Sequence, residues 1–172
     1  SHKNNTHKNK LTKKCYLCEI ILNTFLNMSK VIPMACDHAG FELKEFLKST
    51  LIERGLEIKD FGTYSSDSVD YPDMIHPLAK EINDGNFEFG IIMCGSANGV
   101  SMVANKYQNV RCALCWEEEI AQLAKQHNNA NIISLPARFI SKEKALSIVD
   151  AYLNTEFEGG RHQKRVEKIP IK

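Results

Sequence analysis

The sequence has little net charge and no long apolar run. Its 172 residues carry a net charge of +1, so no general nucleic-acid partner is predicted. No apolar segment approaches the roughly 20 residues of a membrane-spanning helix, so no membrane partner is predicted either. The six cysteines lack the spacing of a small disulfide-rich secreted domain, which indicates reduced thiols and a cytoplasmic location. The remaining composition, 43% hydrophobic and 25% charged, is typical of one globular domain.

Residues 1–27 differ in composition from the rest of the chain. Residues 1–14 are rich in Lys, Asn and His, whereas residues 15–26 are apolar enough for a short helix. A signal peptide fits this segment poorly, because Glu19 interrupts it and no small-residue cleavage site follows. We therefore predict an appended or flexible N-terminal extension over residues 1–27 and the functional domain over residues 28–172.

Two CxxC pairs stand far apart in the chain, at Cys15/Cys18 and Cys112/Cys115. Their separation is too long for a zinc ribbon, and no nearby His completes either pair. We therefore predict no metal site and interpret these cysteines as core or incidental residues.

Strand-like and helix-like segments alternate from residue 30 onward. Apolar runs predict strands over residues 31–36, 56–61, 89–93, 111–116 and 131–135. Helical periodicity and capping signals predict helices over residues 41–54, 72–83, 102–107, 117–126 and 142–153. This alternation predicts an α/β fold with a central parallel sheet of about five strands and helices on both faces.

The segment 90–101 runs from a buried strand into a loop of small residues. Cys94 ends the strand, and ligands of open α/β sheets bind at such carboxyl ends. Gly95 and Gly99 allow a ligand to approach the backbone closely, and free N–H groups at the following helix start favour an anion. The loop matches neither the P-loop nor the dinucleotide-binding fingerprint. Ser101 is interpreted as a cap for backbone groups.

Two further groups of polar residues could work with this loop. Asp37 and His38 follow the first strand, so a doubly wound sheet places them near Cys94. The simpler alternative is that Asp37 only caps the following helix. His127 lies among amide side chains between a predicted helix and strand, where a titrating acid or base would suit sugar chemistry. At a helix start and near such a His, Cys94 would favour its thiolate form.

Cations are concentrated near the end of the chain. Arg138 follows the last predicted strand, and Arg161, His162 and Arg165 lie in the tail. Arg161 and Arg165 are four residues apart and would share one face of a helix. A solvated basic face and a phosphate clamp both fit this pattern.

Taken together, six motifs resemble those of one enzyme family. They are Cys-Asp-His-Ala-Gly-Phe (36–41), Asp-Tyr-Pro (70–72), Cys-Gly-Ser-Ala-Asn-Gly (94–99), Ala-Asn-Lys (104–106), Gln-His-Asn (126–128) and Gly-Gly-Arg-His-Gln-x-Arg (159–165). In this order, over residues 30–168, they resemble type B ribose-5-phosphate isomerase, whose wider family includes galactose-6-phosphate isomerase subunits. The resemblance implies a Rossmann-like three-layer fold and a homodimer or dimer of dimers with shared active sites. It also implies aldose–ketose isomerisation of a sugar phosphate without a metal or other cofactor.

The resemblance implies a role for each site residue. Cys94 is similar to the family's base, Asp37 to the group that handles hydroxyl protons, and His127 to the ring-opening residue. Ser96 keeps a hydroxyl where many members have Thr. The implied substrate-binding residues are the loop residues Gly95, Ala97, Asn98, Gly99 and Val100, the sugar-binding Tyr71 and Asn128, and the phosphate-binding His38, Arg138, Arg161 and Arg165.

The substrate implied first is ribose 5-phosphate, converted to ribulose 5-phosphate in the pentose phosphate pathway. A six-carbon sugar phosphate, such as allose 6-phosphate or galactose 6-phosphate, is the alternative, since Ala97 and Asn98 stand where other members have Gly and Ile. From the residues alone, two other functions stay open. One is a hydrolase or transferase with Cys94 as nucleophile and His127 as its partner. The other is a non-catalytic phosphosugar-binding module.

Overall fold

The structure, a computed structural model, describes residues 31–171. The predicted extension, its short helix and the first CxxC pair lie outside these residues and stay predictions. Five strands are present: β1 (Val31–Cys36), β2 (Glu57–Asp60), β3 (Gly90–Cys94), β4 (Cys112–Leu114) and β5 (Ile132–Pro136). The helices are α1 (Phe41–Glu53), α2 (Tyr71–Asn83), α3 (Asn98–Ala104), α4 (Glu118–Asn128), α5 (Lys142–Leu153) and a single turn, α6 (Gln163–Val166).

The predicted five-stranded parallel sheet is confirmed. The strand order is β2-β1-β3-β5-β4, and every neighbouring pair is parallel. The chain leaves β1 toward β2 on one side and then returns to place β3 on the other side. The carboxyl ends of β1 and β3 therefore flank a topological switch point, where open α/β sheets bind their ligands.

Helices cover both faces of the sheet, as a three-layer fold requires. Alternate strand residues point to opposite faces, so Ile91 and Met93 pack in one core and Ile92 in the other. The first core includes the apolar faces of α1, α4 and α5, and the second includes those of α2 and α3. Because all five residues of β3 are buried, the strand that carries Cys94 is held rigidly between the two cores.

Three predicted helix boundaries are wrong near the candidate site. The helix after the small-residue loop begins at Asn98 rather than at residue 102. Helix α4 extends past residue 126, so His127 and Asn128 lie in its last turn rather than in a loop. The tail helix is one turn long, and Arg161 lies before it, so Arg161 and Arg165 do not share a helical face as predicted.

A network of four charged side chains fastens α1 to the end of β2. The side chain of Lys44 is fully buried and lies 2.6 Å from Asp60 and 2.7 Å from Glu45. Lys48 contacts the same two carboxylates at 2.7 and 2.8 Å. A buried ammonium is tolerated only with such partners, because desolvating an unpaired charge is costly. In the part of the chain that the structure describes, no helix is long and apolar enough to cross a membrane.

Candidate active site

The strand ends that the sequence predicted to be neighbours lie side by side. Cys36 pairs with Met93 in the sheet, and the next residue, Asp37, donates its backbone N–H to the carbonyl of Met93 at 3.3 Å. The Asp37 carboxylate is largely buried and accepts the Gly40 N–H at 3.0 Å. Asp37 thus fulfils the capping alternative and also lies beside the strand that ends at Cys94.

Cys94 is held by the loop that follows it. Its Sγ accepts the backbone N–H of Ala97 at 3.2 Å, and the residue is only 6% exposed. Ala97 has a left-handed backbone, with φ of 63°. This conformation turns the chain sharply, so that the N–H of Ala97 faces back toward the sulfur. The sulfur therefore lies against a backbone N–H donor at the start of α3, at the carboxyl end of its strand.

Two serines in the loop region have different surroundings. The Ser96 side chain is exposed at the loop surface, where a ligand can contact it. Ser101 instead donates its hydroxyl to the carbonyl of Ala97 at 2.6 Å and forms a hydrogen bond with Ser134 of β5. The predicted backbone-capping role of Ser101 is therefore confirmed.

Ala97→Gly should leave the stability nearly unchanged, because relief of the left-handed conformation, worth roughly 1 kcal/mol, offsets the loss of a buried methyl group, which costs about 0.8 kcal/mol. Chemical denaturation monitored by circular dichroism measures the change. Ala151→Gly within α5 is the matched control and should destabilise the protein by roughly 1 kcal/mol, since glycine weakens a helix interior. Equal destabilisation by both substitutions would contradict the strain assigned to Ala97.

Tyr71 and Arg138 pack directly on the glycines of the loop. A Cβ built on Gly99 would lie 2.8 Å from Cζ of Tyr71. A Cβ built on Gly95 would lie 3.2 Å from Cδ of Arg138, whose backbone N–H also donates to the Gly95 carbonyl at 3.0 Å. Gly99 therefore allows the close approach of Tyr71, whereas a Cβ at Gly95 would displace the exposed side chain of Arg138 by only a few tenths of an ångström.

His38 and Arg138 place cationic or titratable groups at the same edge of the sheet. Nδ1 of the half-buried His38 accepts the Val69 N–H at 3.4 Å, which leaves its Nε2 as the donor. Arg138 is exposed and forms no salt bridge within residues 31–171. The carboxyl edge therefore brings together six of the predicted site regions, which are Asp37, His38, Tyr71, Cys94, the loop 95–100 with Ser96, and Arg138.

The remaining predicted residues form a second cluster, around the last turn of α4. The rings of His127 and His162 stack with their centroids 4.3 Å apart and their planes 7° apart. Glu158 lies beside both rings, with Oε2 at 3.8 Å from Nε2 of His127 and 3.5 Å from Nε2 of His162. A hydrogen bond of 3.1 Å from the Glu158 N–H to the Gln126 carbonyl fixes the tail against α4. Arg161 and Arg165 are exposed beside it.

Within one chain, the second cluster lies at the opposite edge of the sheet from Cys94. Cys94 pairs with Pro136, the last residue of β5, whereas α4 returns to the first residue of that strand. The five residues of β5 span roughly 15 Å. The expected proximity of His127 to Cys94 is therefore not present within a single chain, because a crossover helix carries its last turn back to the amino ends of the strands.

Sequence reasoning assigned no role to Glu158 and His162 as partners of His127. The two residues are four apart, but Glu158 precedes the single-turn α6, so helical spacing does not account for their contact. Their contact with α4 depends on how the tail folds back, and no local pattern in the sequence specifies that.

The other described thiols are structural. Burial raises the pKa values of Cys36, Cys112 and Cys115 to about 12, so these side chains stay protonated at neutral pH. All of them are free. Cys115 lies in the first core and Cys112 is partly buried against the second, which agrees with their interpretation as core or incidental residues. Cys94 is set apart from them by its place at the switch point.

Comparison with known proteins agrees with the geometry. The model of the ribose/galactose isomerase family matches residues 32–169. Ribose-5-phosphate isomerase B of Escherichia coli is 44% identical over 140 residues, which are 81% of this chain and 94% of the relative.

Solved structures give the same result. A ribose 5-phosphate isomerase from Thermotoga maritima superposes with a TM-score of 0.80 at 47% identity, over 84% of this chain and 98% of that one. Ribose 5-phosphate isomerase B from Mycoplasma genitalium, with bound ribulose 5-phosphate, has a TM-score of 0.78 at 38% identity, over 83% and 94%. With a family model and these relatives covering the whole described domain, this chain belongs to the ribose/galactose isomerase family.

Proposed function

We propose that this protein interconverts ribose 5-phosphate and ribulose 5-phosphate by proton transfer through an enediolate, as a cytoplasmic step of the pentose phosphate pathway. The observation that carries the proposal is Cys94 itself. Its sulfur lies at the switch point beside a backbone N–H donor, and Arg138 is packed on the same loop. A base, oxyanion donors and a phosphate-binding cation are the parts that this reaction needs.

Cys94 acts as the base in both directions. Its thiolate removes the proton from C2 of the open aldose, and the resulting thiol returns a proton to C1. The C2–H electrons become the C1–C2 double bond of the enediolate, so negative charge develops on the O1 atom. The N–H groups of the loop 95–100 stabilise that oxygen, while Asp37 and Ser96 exchange protons with the O1 and O2 hydroxyls.

The phosphate group holds the substrate away from the reacting carbons. Arg138, Arg161 and Arg165 form no salt bridges within the described part of the chain, so each is free to bind an incoming anion. His38 adds a donor at the Cys94 edge. Binding energy gained at the phosphate then orients C1 and C2 against the sulfur.

We also propose that the active site is completed by a second copy of the chain. His127, Asn128, Arg161 and Arg165 lie too far from Cys94 to serve it within one chain, yet ring opening and phosphate binding need them there. A two-fold homodimer that brings the amino edge of one protomer to the carboxyl edge of its partner would form two complete sites. This dimer could pair further as a dimer of dimers.

Exposed apolar side chains support such an interface. Phe139, next to Arg138, is 75% exposed, Met102 of α3 is 65% exposed and Trp116 after β4 is 49% exposed. At the amino edge Ile171 is 84% exposed, and it lines a cavity of about 590 Å³ that also contains Asn128. Large apolar side chains grouped on both edges are typical of a surface that another subunit covers.

The reaction class is tested by isotope exchange. Incubation of the protein with ribose 5-phosphate in deuterated water should produce ribulose 5-phosphate that carries deuterium at C1, detected by mass spectrometry. The same assay on allose 6-phosphate and galactose 6-phosphate ranks the substrates, and Asn98, in place of the family's Ile, is the residue to vary if a hexose is preferred. Absence of exchange with every sugar, or a trapped covalent acyl-cysteine, would contradict isomerisation and favour the hydrolase.

A further inference from the structure

We propose that His127, Glu158 and His162 form a binding site for a divalent transition-metal ion of the zinc type, outside the Cys94 loop. Each residue offers one ligand atom, and the three atoms lie within 4.8 Å of one another. Two imidazole nitrogens and one carboxylate oxygen are a common ligand set for zinc, and they leave a fourth position for water.

The distances between the donors are close to those of a bound ion. Metal–ligand bonds of 2.0–2.2 Å in a tetrahedron place the donors about 3.3–3.6 Å apart. Nε2 of His162 lies 3.5 Å and Nε2 of His127 3.8 Å from Oε2 of Glu158. The carboxylate therefore needs to move by less than an ångström, whereas the two imidazole nitrogens, which lie within 4.8 Å of each other, have to be brought together by a ring rotation.

One ring has to turn when the ion enters. An imidazole donates its lone pair in the plane of the ring, and two parallel rings cannot both aim at one ion. The side chain of His162 is only 7% exposed and is held in place, whereas that of His127 is 37% exposed and can rotate. Metal binding should therefore break the stack and reorient His127.

Cationic side chains flank the three donors. Arg161 directly precedes His162 in the chain, and Arg165 follows three residues later. The adjacent arginines oppose the charge of the ion, which predicts moderate affinity rather than a permanently loaded site.

The ion would inhibit the enzyme rather than assist it. Coordination occupies the Nε2 lone pair of His127, the residue that opens the sugar ring. This consequence rests on the proposed function, whereas the binding itself does not.

Calorimetric titration of Zn²⁺ into the full chain tests the site. Cys15 and Cys18 are replaced by Ser in every variant, so that the first CxxC pair adds no background. Glu158→Gln and His162→Asn should each weaken this binding by roughly tenfold or more, as loss of a donor does. His76→Asn, which removes another exposed imidazole, should leave it unchanged. Equal zinc affinity in all these variants, or no binding by the parent chain, would overturn the proposal.

Inhibition separates the site from the proposed function. The isomerase activity of each variant with Zn²⁺ is compared with the activity of the same variant without zinc. Zn²⁺ should inhibit the parent protein, and Glu158→Gln should need a roughly tenfold higher Zn²⁺ concentration for the same inhibition. Binding that depends on Glu158 and His162 without any inhibition would support the metal site and contradict the role of His127. Inhibition that Glu158→Gln does not relieve would place the inhibitory ion on Cys94 instead.

Discussion

Cys94→Ala is expected to lower the rate of isomerisation by roughly two to four decades, the range for loss of an acid–base group. The substitution removes the proposed base and leaves the loop backbone in place. Binding of ribose 5-phosphate should survive, because the phosphate and hydroxyl contacts come from other residues. Coupled spectrophotometric assay and calorimetry measure the two quantities separately.

Cys112→Ala is the matched control, since it removes a partly buried thiol from the edge strand β4. It should keep near-normal turnover. Near-normal turnover of Cys94→Ala would contradict the assignment of Cys94 as the base. Loss of substrate binding in that variant would mean that the thiol mainly positions the sugar.

Mixing two impaired variants should restore activity at low substrate concentration if the sites are shared. Arg165→Ala is expected to weaken sugar-phosphate binding by roughly one to two decades, because a hydrogen bond to a charged group contributes about 1.5–3 kcal/mol. A heterodimer of Cys94→Ala and Arg165→Ala has one site with both defects and one site with neither. After subunit exchange of equal amounts, roughly a quarter of wild-type activity should return at low substrate concentration.

Asp37 provides the control for this experiment, because it lies at the same edge as Cys94. A mixture of Cys94→Ala with Asp37→Asn has a defect in every site and should stay inactive. Heterodimer formation is verified by native mass spectrometry. Heterodimers without recovered activity would show that Arg165 serves Cys94 of its own chain or no site at all.

The sheet and the first half of the site were predictable because their signals are local. Apolar runs mark β1 and β3, and parallel strands bring their carboxyl ends to one edge, so Asp37 and Cys94 had to become neighbours. The observed ends of the strands differ from the predicted ends by a residue or two. The reason is that hydrogen bonding to the neighbouring strand determines where each strand ends. Edge strand β4 pairs on one side only and is three residues long.

The second half of the site was not predictable in the same way. His127 belongs to the last turn of α4, and the amide-rich segment after it resembled a loop because Asn129 ends the helix in a left-handed conformation. Only the direction of the crossover helix shows that His127 faces away from Cys94. The motifs identified the residues of the site. The edge of the sheet at which each residue lies is determined only by how the strands and helices are arranged in the fold.

The charge network of Lys44, Lys48, Glu45 and Asp60 determines what a pH titration of this protein reports. Although burial acts to raise it, hydrogen bonds from Lys44 and Lys48 lower the pKa of Asp60 below its ordinary value of 3.8. Burial acts to lower the pKa of Lys48, but the hydrogen bonds that it donates to Asp60 and Glu45 raise the pKa above 10.5. The stability from Asp60 is present above pH 3.8 and lost as the pH falls through the lowered value. The stability from Lys48 is present below pH 10.5 and lost only as the pH rises past the raised value. Between these limits Asp60 and Lys48 stay charged, so a pH–rate profile from pH 5 to 9 does not record the loosening of α1 from the sheet.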